Sequence, residues 1–375
     1  MKRKLLLIFT LSLLFAGCAK APVRYSNVAI NLGFNDAPVT FVAYATSQEE
    51  FDKYFEQLKT ELSYLGQLFD RYNNYPNLNN LKTINDNAGI KAIEVDQYVI
   101  DLLVFARDWA SLSQNTFNVT LGAVLDIWSD YRNEGKMLNT SDPVELGRIP
   151  SLGLLQQADA CTGWDFVEID DQANTVFITN PCTQFDVGGI AKGFAIDIAV
   201  QKLMDAGLET AIINIGDSSI ITIGTKPDGK DWGVGIAQPK RNVTFADGSV
   251  DTLFFKSSIH ISTSGNNQNY YLAEDGQYYH HLIDPETLFP VVTPLHSVTV
   301  ATSLSAGAAE ALSKAVFILP YEESLKLLEE LRTTFPNDTI EAAWVYELNQ
   351  APVDSIESVG FSVVHSAGIQ SRLEP

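Results

Sequence analysis

The chain has 375 residues, 46% of them hydrophobic, and carries 25 Lys and Arg against 46 Asp and Glu, a formal net charge of -21. That composition belongs to a globular protein with ample core, not to a disordered one. Its acidity excludes a nucleic-acid partner, which needs a basic face, so any anionic ligand must be held by a local arrangement of groups.

The N-terminus reads as an address. Lys2, Arg3 and Lys4 precede an apolar run from Leu5 to Phe15. That run is too short for a bilayer, which takes about 20 residues. Ala16, Gly17 and Cys18 give the small-small-Cys ending of a lipoprotein signal, although Phe15 stands where Leu is usual. The expectation is a signal peptide over 1–17, lipidation at Cys18, a tether over 18–25 and a folded domain over 26–370. The protein is then exported and lipid-anchored to the outer face of the cytoplasmic membrane, at the cell surface or in the periplasm.

Residues 28–32 and 39–45 read as strands. Ser47 caps a helix with Glu49 and Glu50 in its first turn and Phe55, Leu58, Leu62 and Leu65 on one face. A polar, Asn-rich loop spans 72–87, and a second helix after Asp96 buries Leu102, Phe105, Ala106 and Trp109. Residues 129–150 read as a charged loop. Residues 165–169 and 175–179 read as a hairpin around a polar turn, which brings Cys161 and Cys182 nearly opposite each other. In an exported chain that predicts a disulfide; the alternative is two buried thiols. Strands dominate from Phe166 onward, broken by helices after Gly193 and Ser305. The tail from Tyr321 holds an amphipathic helix and strands around Trp344 and Phe361. No repeat or composition break divides the chain, so one α+β domain is the simplest reading.

Four segments carry chemistry. In Asp186-Val187-Gly188-Gly189-Ile190-Ala191-Lys192-Gly193 a strand ends at a glycine pair and a helix begins at a Lys. The glycines permit close approach and positive φ, helix-start N–H groups bind phosphate, and Lys192 adds a point charge. The spacing fits neither GxxxxGK[ST] nor GxGxxG, and read alone the segment also suits a plain strand-to-helix turn. His280 and His281, followed by Asp284, suit a general base with its orienter, a metal site, or a strand end with one satisfied His. Zinc would need further ligands, and the remaining His and Cys are scattered. Ser262 to Asn267 reads as a polar turn, and without a G-x-S-x-G elbow a serine hydrolase has little support. Ala309 to Phe317 reads as an amphipathic helix, with Glu310 and Lys314 spaced for a helical ion pair.

In this order the segments resemble the ApbE family of flavin transferases, the FAD:protein FMN transferases. The resemblance is carried by Asp186 to Gly193, His280 to Pro285, Thr263 to Gly265 and Ala309 to Phe317. Upstream and between, Phe69 to Tyr72, Ile84 to Gly89, Phe117 to Trp128, Asn214 to Gly216 and Trp232 to Ile236 add to it. It implies a single ApbE-like, T-fold-like α+β domain of mixed sheets with packed helices. It also implies a reaction. FAD binds with its pyrophosphate on Mg2+, a Thr or Ser hydroxyl of a target protein attacks the FMN-side phosphorus, and AMP leaves. Carried onto this chain, His281 or Asp284 deprotonates the hydroxyl, with His281 preferred. Tyr72, Asn118, Lys192, Thr263, Ser264, Gly265 and Leu282 hold the nucleotide. Gly189, through its carbonyl, makes the metal site with Glu310, Ser313 and the position of Lys314.

At that metal site the chain departs from the family, with Glu310 standing for Asp and Lys314 for Thr. A charged Lys has no lone pair for a metal, and its ammonium can take the cation's place beside Glu310. Asn118 stands for Asp, Asp217 for a second Gly, and Leu288 where many members have Gly. The implied partners are an acceptor redox protein flavinylated on Thr or Ser and, through the lipid, the membrane. Two further readings suit the same pocket. One is a surface lipoprotein that binds flavin without transferring it. The other is a Mg2+-dependent hydrolase that gives FMN and AMP.

Overall fold

The structure is a computed structural model that describes residues 20–34, 37–216, 218–239 and 248–370. The expected signal peptide, Cys18 and Asp217 lie outside the described residues. In chain order, β1 (Val23–Ala29) and β2 (Val39–Ala45) pair antiparallel and lead into α1 (Gln48–Leu68). The short α2 (Leu81–Asp86) and β3 (Ile93–Glu94) precede α3 (Gln97–Leu112), α4 (Gly122–Asn139) and α5 (Leu152–Asp159). β4 (Val167–Asp170) and β5 (Thr175–Ile178) form a hairpin before α6 (Ala191–Asp205). β6 (Ala211–Ile215), β7 (Ser219–Ile223), β8 (Trp232–Ala237) and β9 (Ser249–Phe255) follow. Then come β10 (Ile259–Gly265), β11 (Tyr270–Leu272), β12 (Tyr278–His280) and β13 (Leu295–Thr302). The chain closes with α7 (Ala306–Ile318), α8 (Tyr321–Thr334), β14 (Ile340–Glu347), β15 (Ile356–Ser358), β16 (Phe361–His365) and α9 (Ala367–Gln370).

A nine-stranded antiparallel sheet, in the order β1-β2-β6-β7-β10-β13-β14-β16-β15, is the frame. Alternation along its strands gives two apolar faces. Val298, Val300, Ala342, Trp344 and Tyr346 belong to the larger core, which α1, α3, α6, α7 and α8 complete. Ala301, Ala343, Val345 and Val363 belong to a smaller core on which the β8–β9 ribbon packs. A third cluster joins α4 and α5 to Tyr271 on β11 and to Ile283 and Leu288.

Local signals set the helix starts. Ser47 accepts from the Glu50 N–H, Asp96 from Tyr98, and Ser305 from Ala308, so α1, α3 and α7 begin where their caps place them. Several expectations are corrected. β1 begins at Val23, inside the expected tether, and it ends at Ala29; Asn31 at φ 60 breaks the strand expected over 28–32. The Asn-rich stretch 72–87 is not all loop, because Asn80 and Thr83 form a capping box that starts α2. The charged stretch 129–150 begins as helix, because α4 runs on to Asn139, with Trp128 and Gly135 buried along one face. α5, unanticipated, is capped by Ser151 and buries Leu155. Leu288 adopts φ 65, the left-handed region where Gly is at ease, and its carbonyl accepts the Trp128 indole N–H. Cys161 and Cys182, flanking the β4–β5 hairpin, are joined by a disulfide with Cα atoms 5.4 Å apart. Among the described residues no helix is long and apolar enough to cross a membrane.

The contact of α6 with α7 positions the chemistry. The Asp197 carboxylate of α6 accepts the Ala306 and Gly307 N–H groups at 2.9 and 3.0 Å and so holds the N-terminus of α7. At Gly193 an added Cβ would lie 2.4 Å from the Ala306 carbonyl oxygen. Gly193→Ala is therefore expected to destabilise the fold by about 1–3 kcal/mol through overpacking. Gly153→Ala on α5, where a Cβ meets nothing within 4 Å, is expected to be neutral or slightly stabilising. Thermal melts of the two variants check this; equal melting temperatures would refute the tight contact.

Candidate active site

The charged side chains converge where the first turn of α6 meets α7. Almost all of α7 is buried, and Glu310 has no exposed surface. Glu310 Oε1 accepts the Ser219 hydroxyl of β7 at 2.5 Å, and Lys192 Nζ of α6 lies 3.1 Å from the same oxygen. Oε2 is buried with no hydrogen-bond partner among the described residues. Burial works against the Glu310 charge, but the ammonium groups of Lys192 and Lys314 prevail and hold its carboxyl below the ordinary value.

Lys314, one turn along, is partly buried and donates from Nζ to the Glu310 backbone carbonyl at 3.2 Å. Burial pushes its ammonium down to about 8 against the pull of Glu310, which leaves it cationic at neutral pH. Its stem lies on Gly189, where a Cβ would come within 3.1 Å of both Cδ and Cε. The Ser313 hydroxyl is held by Ser262 and Ser264 of β10 at 3.2 and 2.8 Å and by the Glu310 carbonyl.

This donor set does not fit Mg2+, which demands a near-octahedral shell of oxygens. One carboxylate faces two ammonium groups, one of its oxygens is already committed, and so is Ser313. Among the described residues no group of three or more His, Cys, Asp or Glu could hold a metal ion.

The turn before α6 is anchored by Arg71. Its buried guanidinium bonds Asp186 at 2.7 Å and both oxygens of Asp126 at 2.8 Å, and Asp186 accepts the Gly188 N–H at 2.8 Å. Neither Gly188 nor Gly189 adopts positive φ, so the glycine pair serves close approach alone. Part of the turn's N–H set is already taken: Gly188, Ile190 and Ala191 donate to Asp186 and Val187, whereas Gly189 and Lys192 have no backbone acceptor among the described residues.

The adjacent histidines differ. His280 ends β12, buried, with Nε2 3.0 Å from the Val291 carbonyl and Nδ1 accepting the Leu282 N–H at 3.2 Å. His281 is partly buried, and its Nδ1 has no hydrogen-bond partner among the described residues. Burial first, then the neighbouring charges of His280, Arg132 and Lys314, push its imidazole down to about 3. Asp284 points elsewhere: its two oxygens accept the Glu286 N–H and the Thr287 hydroxyl, so it shapes the following turn.

The remaining expected residues have partners of their own or stand exposed. Tyr72 is 61% exposed, with the Arg71 guanidinium 5.4 Å from its ring centre. Asn118 accepts from the Thr120 N–H and hydroxyl and orders the entry to α4. Leu282 is buried. Thr263, Ser264 and Gly265 are the last residues of β10 and not a turn, and Thr263 pairs with the Thr299 hydroxyl at 2.9 Å.

Sequence reasoning missed Ser219, Asp126 and Arg132. Arg132 has no hydrogen-bond or ion-pair partner among the described residues, and burial lowers its pKa. Its spacing of four from Trp128 on α4 was the available signal. Two clefts, one beside Ser113, Thr116 and Leu319 and one beside Leu32, Lys59 and Tyr64, include none of these residues.

Comparison with known proteins agrees with the geometry. The model of the ApbE family matches residues 36–336. A FAD:protein FMN transferase of Treponema pallidum is 31% identical over 266 residues, covering 67% of this chain and 67% of that protein. One from Vibrio cholerae is 25% identical over 322 residues, covering 84% and 88%. Among solved structures, the ApbE protein of Thermotoga maritima aligns with a TM-score of 0.73 at 24% identity, covering 94% of this chain and 100% of that one. The apo flavinyl transferase ApbE of Pseudomonas stutzeri aligns with a TM-score of 0.69 at 21% identity, covering 95% and 98%.

His281 carries a pH signature. Its folded pKa lies below the ordinary 6.5, so between there and about 3 the unfolded chain binds more protons and stability falls as pH drops. His281→Gln is expected to lose less melting temperature than the wild type between about pH 7 and about pH 5. Parallel melting curves would show that His281 titrates as an ordinary imidazole.

Proposed function

The chain belongs to the ApbE family, and on that premise we propose that it is a FAD:protein FMN transferase, which moves FMN from FAD onto a target protein. The observation that carries the reading is the pair of ammonium groups on Glu310 beside the Gly188–Gly189 turn. They set fixed positive charge into a protein of net charge -21. Phosphoryl transfer asks a protein for just that, position and charge.

The acceptor is a Thr or Ser hydroxyl. Its oxygen attacks the FMN-side phosphorus, the bond from that phosphorus to the bridging oxygen breaks, and AMP leaves with that oxygen. FMN remains on the acceptor as a phosphoester. The hydroxyl proton goes to Nδ1 of His281, which has no hydrogen-bond partner among the described residues. A pyrophosphate beside the ring adds negative charge and raises its proton affinity. Lys192 faces the phosphates. Tyr72, Asn118, Leu282 and the Thr263–Gly265 strand end line the flavin half, and Asp284 keeps the turn after His281 in shape. The protein is exported and acts at the outer face of the membrane, held by lipid on Cys18. Mg2+ has no step in this account, because the donors do not fit it.

Mass spectrometry of a candidate acceptor, after incubation with this protein and FAD, is expected to show a gain of one FMN. His281→Ala should slow that gain by about 10²–10⁴-fold while FAD still binds. No gain, with FAD bound and a known active transferase labelling the same acceptor, would favour a binding-only protein. Release of AMP without acceptor would identify a hydrolase.

A further inference from the structure

We infer that the Lys314 ammonium is a built-in substitute for a divalent cation, so that this chain binds FAD without metal. The inference rests on the flavin reading above and adds a charge source to it. Its ground is the disagreement between an expected metal site and the residues present.

Three observations on α7 and its neighbours carry it. First, Lys314 is held in place: Nζ is fixed to the Glu310 carbonyl at 3.2 Å, and the stem lies so close to Gly189 that a Cβ there would come within 3.1 Å of Cδ and Cε. Second, the carboxylate that a metal would use is engaged by another cation, since Lys192 lies 3.1 Å from Oε1 and Ser219 donates to the same atom. Over these three groups one carboxylate and two ammonium groups leave one positive charge, which repels a second cation and attracts an anion; the Asp197 carboxyl, which also interacts with Glu310, is pushed up to about 7 by burial and offsets only part of it. Third, the nearby hydroxyl of Ser313 is tied to Ser262, Ser264 and the Glu310 carbonyl. An ammonium is a compact point charge with three donors, suited to phosphate oxygens. The bond to the Glu310 carbonyl uses one of the three ammonium donors and leaves donor capacity for a ligand.

The test uses the full chain and two probes. MgCl2 alone is titrated into the protein by calorimetry, and FAD is titrated by flavin fluorescence in EDTA and in excess MgCl2. The expected results are no saturable heat with MgCl2 and the same FAD affinity in both buffers. Lys314→Met, with its fold checked by thermal melting, should weaken FAD at least about tenfold in both buffers, the loss of a charge-assisted contact. Saturable Mg2+ binding, or FAD affinity that collapses in EDTA, overturns the inference and leaves the flavin reading intact. Folded Lys314→Met with unchanged FAD affinity overturns it as well. Absence of FAD binding in both buffers overturns the flavin reading, and this inference with it. If Lys314→Met does not fold, the wild-type titrations decide alone.

Discussion

A carboxylate with no exposed surface must be met by charge and hydrogen bonds, and much of this structure is arranged to meet Glu310. Lys192 arrives from α6, Ser219 from β7 and Lys314 from the next turn of α7. For Lys192 to reach, α6 must approach α7 until Gly193 touches the Ala306 carbonyl, and Asp197 must take up the free N–H groups at the α7 start. Leaving one partner of such a buried pair alone costs about 3–5 kcal/mol. Helix packing and site electrostatics are therefore one constraint, and a change to either is felt by both.

The fold was legible where its causes are local. Ser47, Asp96 and Ser305 announce helices because a cap and an apolar period lie within a few residues. The β4–β5 hairpin was legible for the same reason, and the cysteines at its base followed. Sheet order was not, since β2 pairs with β6 and β7 with β10 across long stretches of chain. α4 was misread because its exposed face carries charge and its buried residues are few, Val124 and Trp128 with Gly122 and Gly135. Among the expected site residues, the short ordered motifs that carry them could be picked out in advance. Their mutual contacts could not. Nothing near Ser219 or Arg132 in sequence says that one meets Glu310 and the charge of the other acts on His281.

Neighbouring residues of one type have been given different tasks by alternation and anchoring. His280, at the end of β12, is fixed through both ring nitrogens, while Nδ1 of His281, just past the strand, has no hydrogen-bond partner among the described residues. The basic residues divide likewise. Arg71 is saturated by Asp126 and Asp186 and so fixes the loop in front of α6. A planar guanidinium suits that bidentate duty, whereas the ammonium groups of Lys192 and Lys314 keep the point-charge character that a phosphate needs.

The spacing of Glu310 and Lys314 is that of an ordinary helical ion pair, yet the structure does not close it as one. Lys314 bonds the backbone carbonyl, and the Glu310 carboxylate is claimed by Lys192. Each ammonium thus has its own anchor, and neither consumes the other's. A direct carboxylate pairing with Lys314 would have neutralised the position nearest Gly189. The observed division keeps a positive charge against the turn where the backbone comes closest. A tethered ammonium carries one unit of charge where a divalent ion carries two, so a site built this way needs both lysines, and Glu310 holds Lys192 by its carboxylate and Lys314 by its backbone carbonyl.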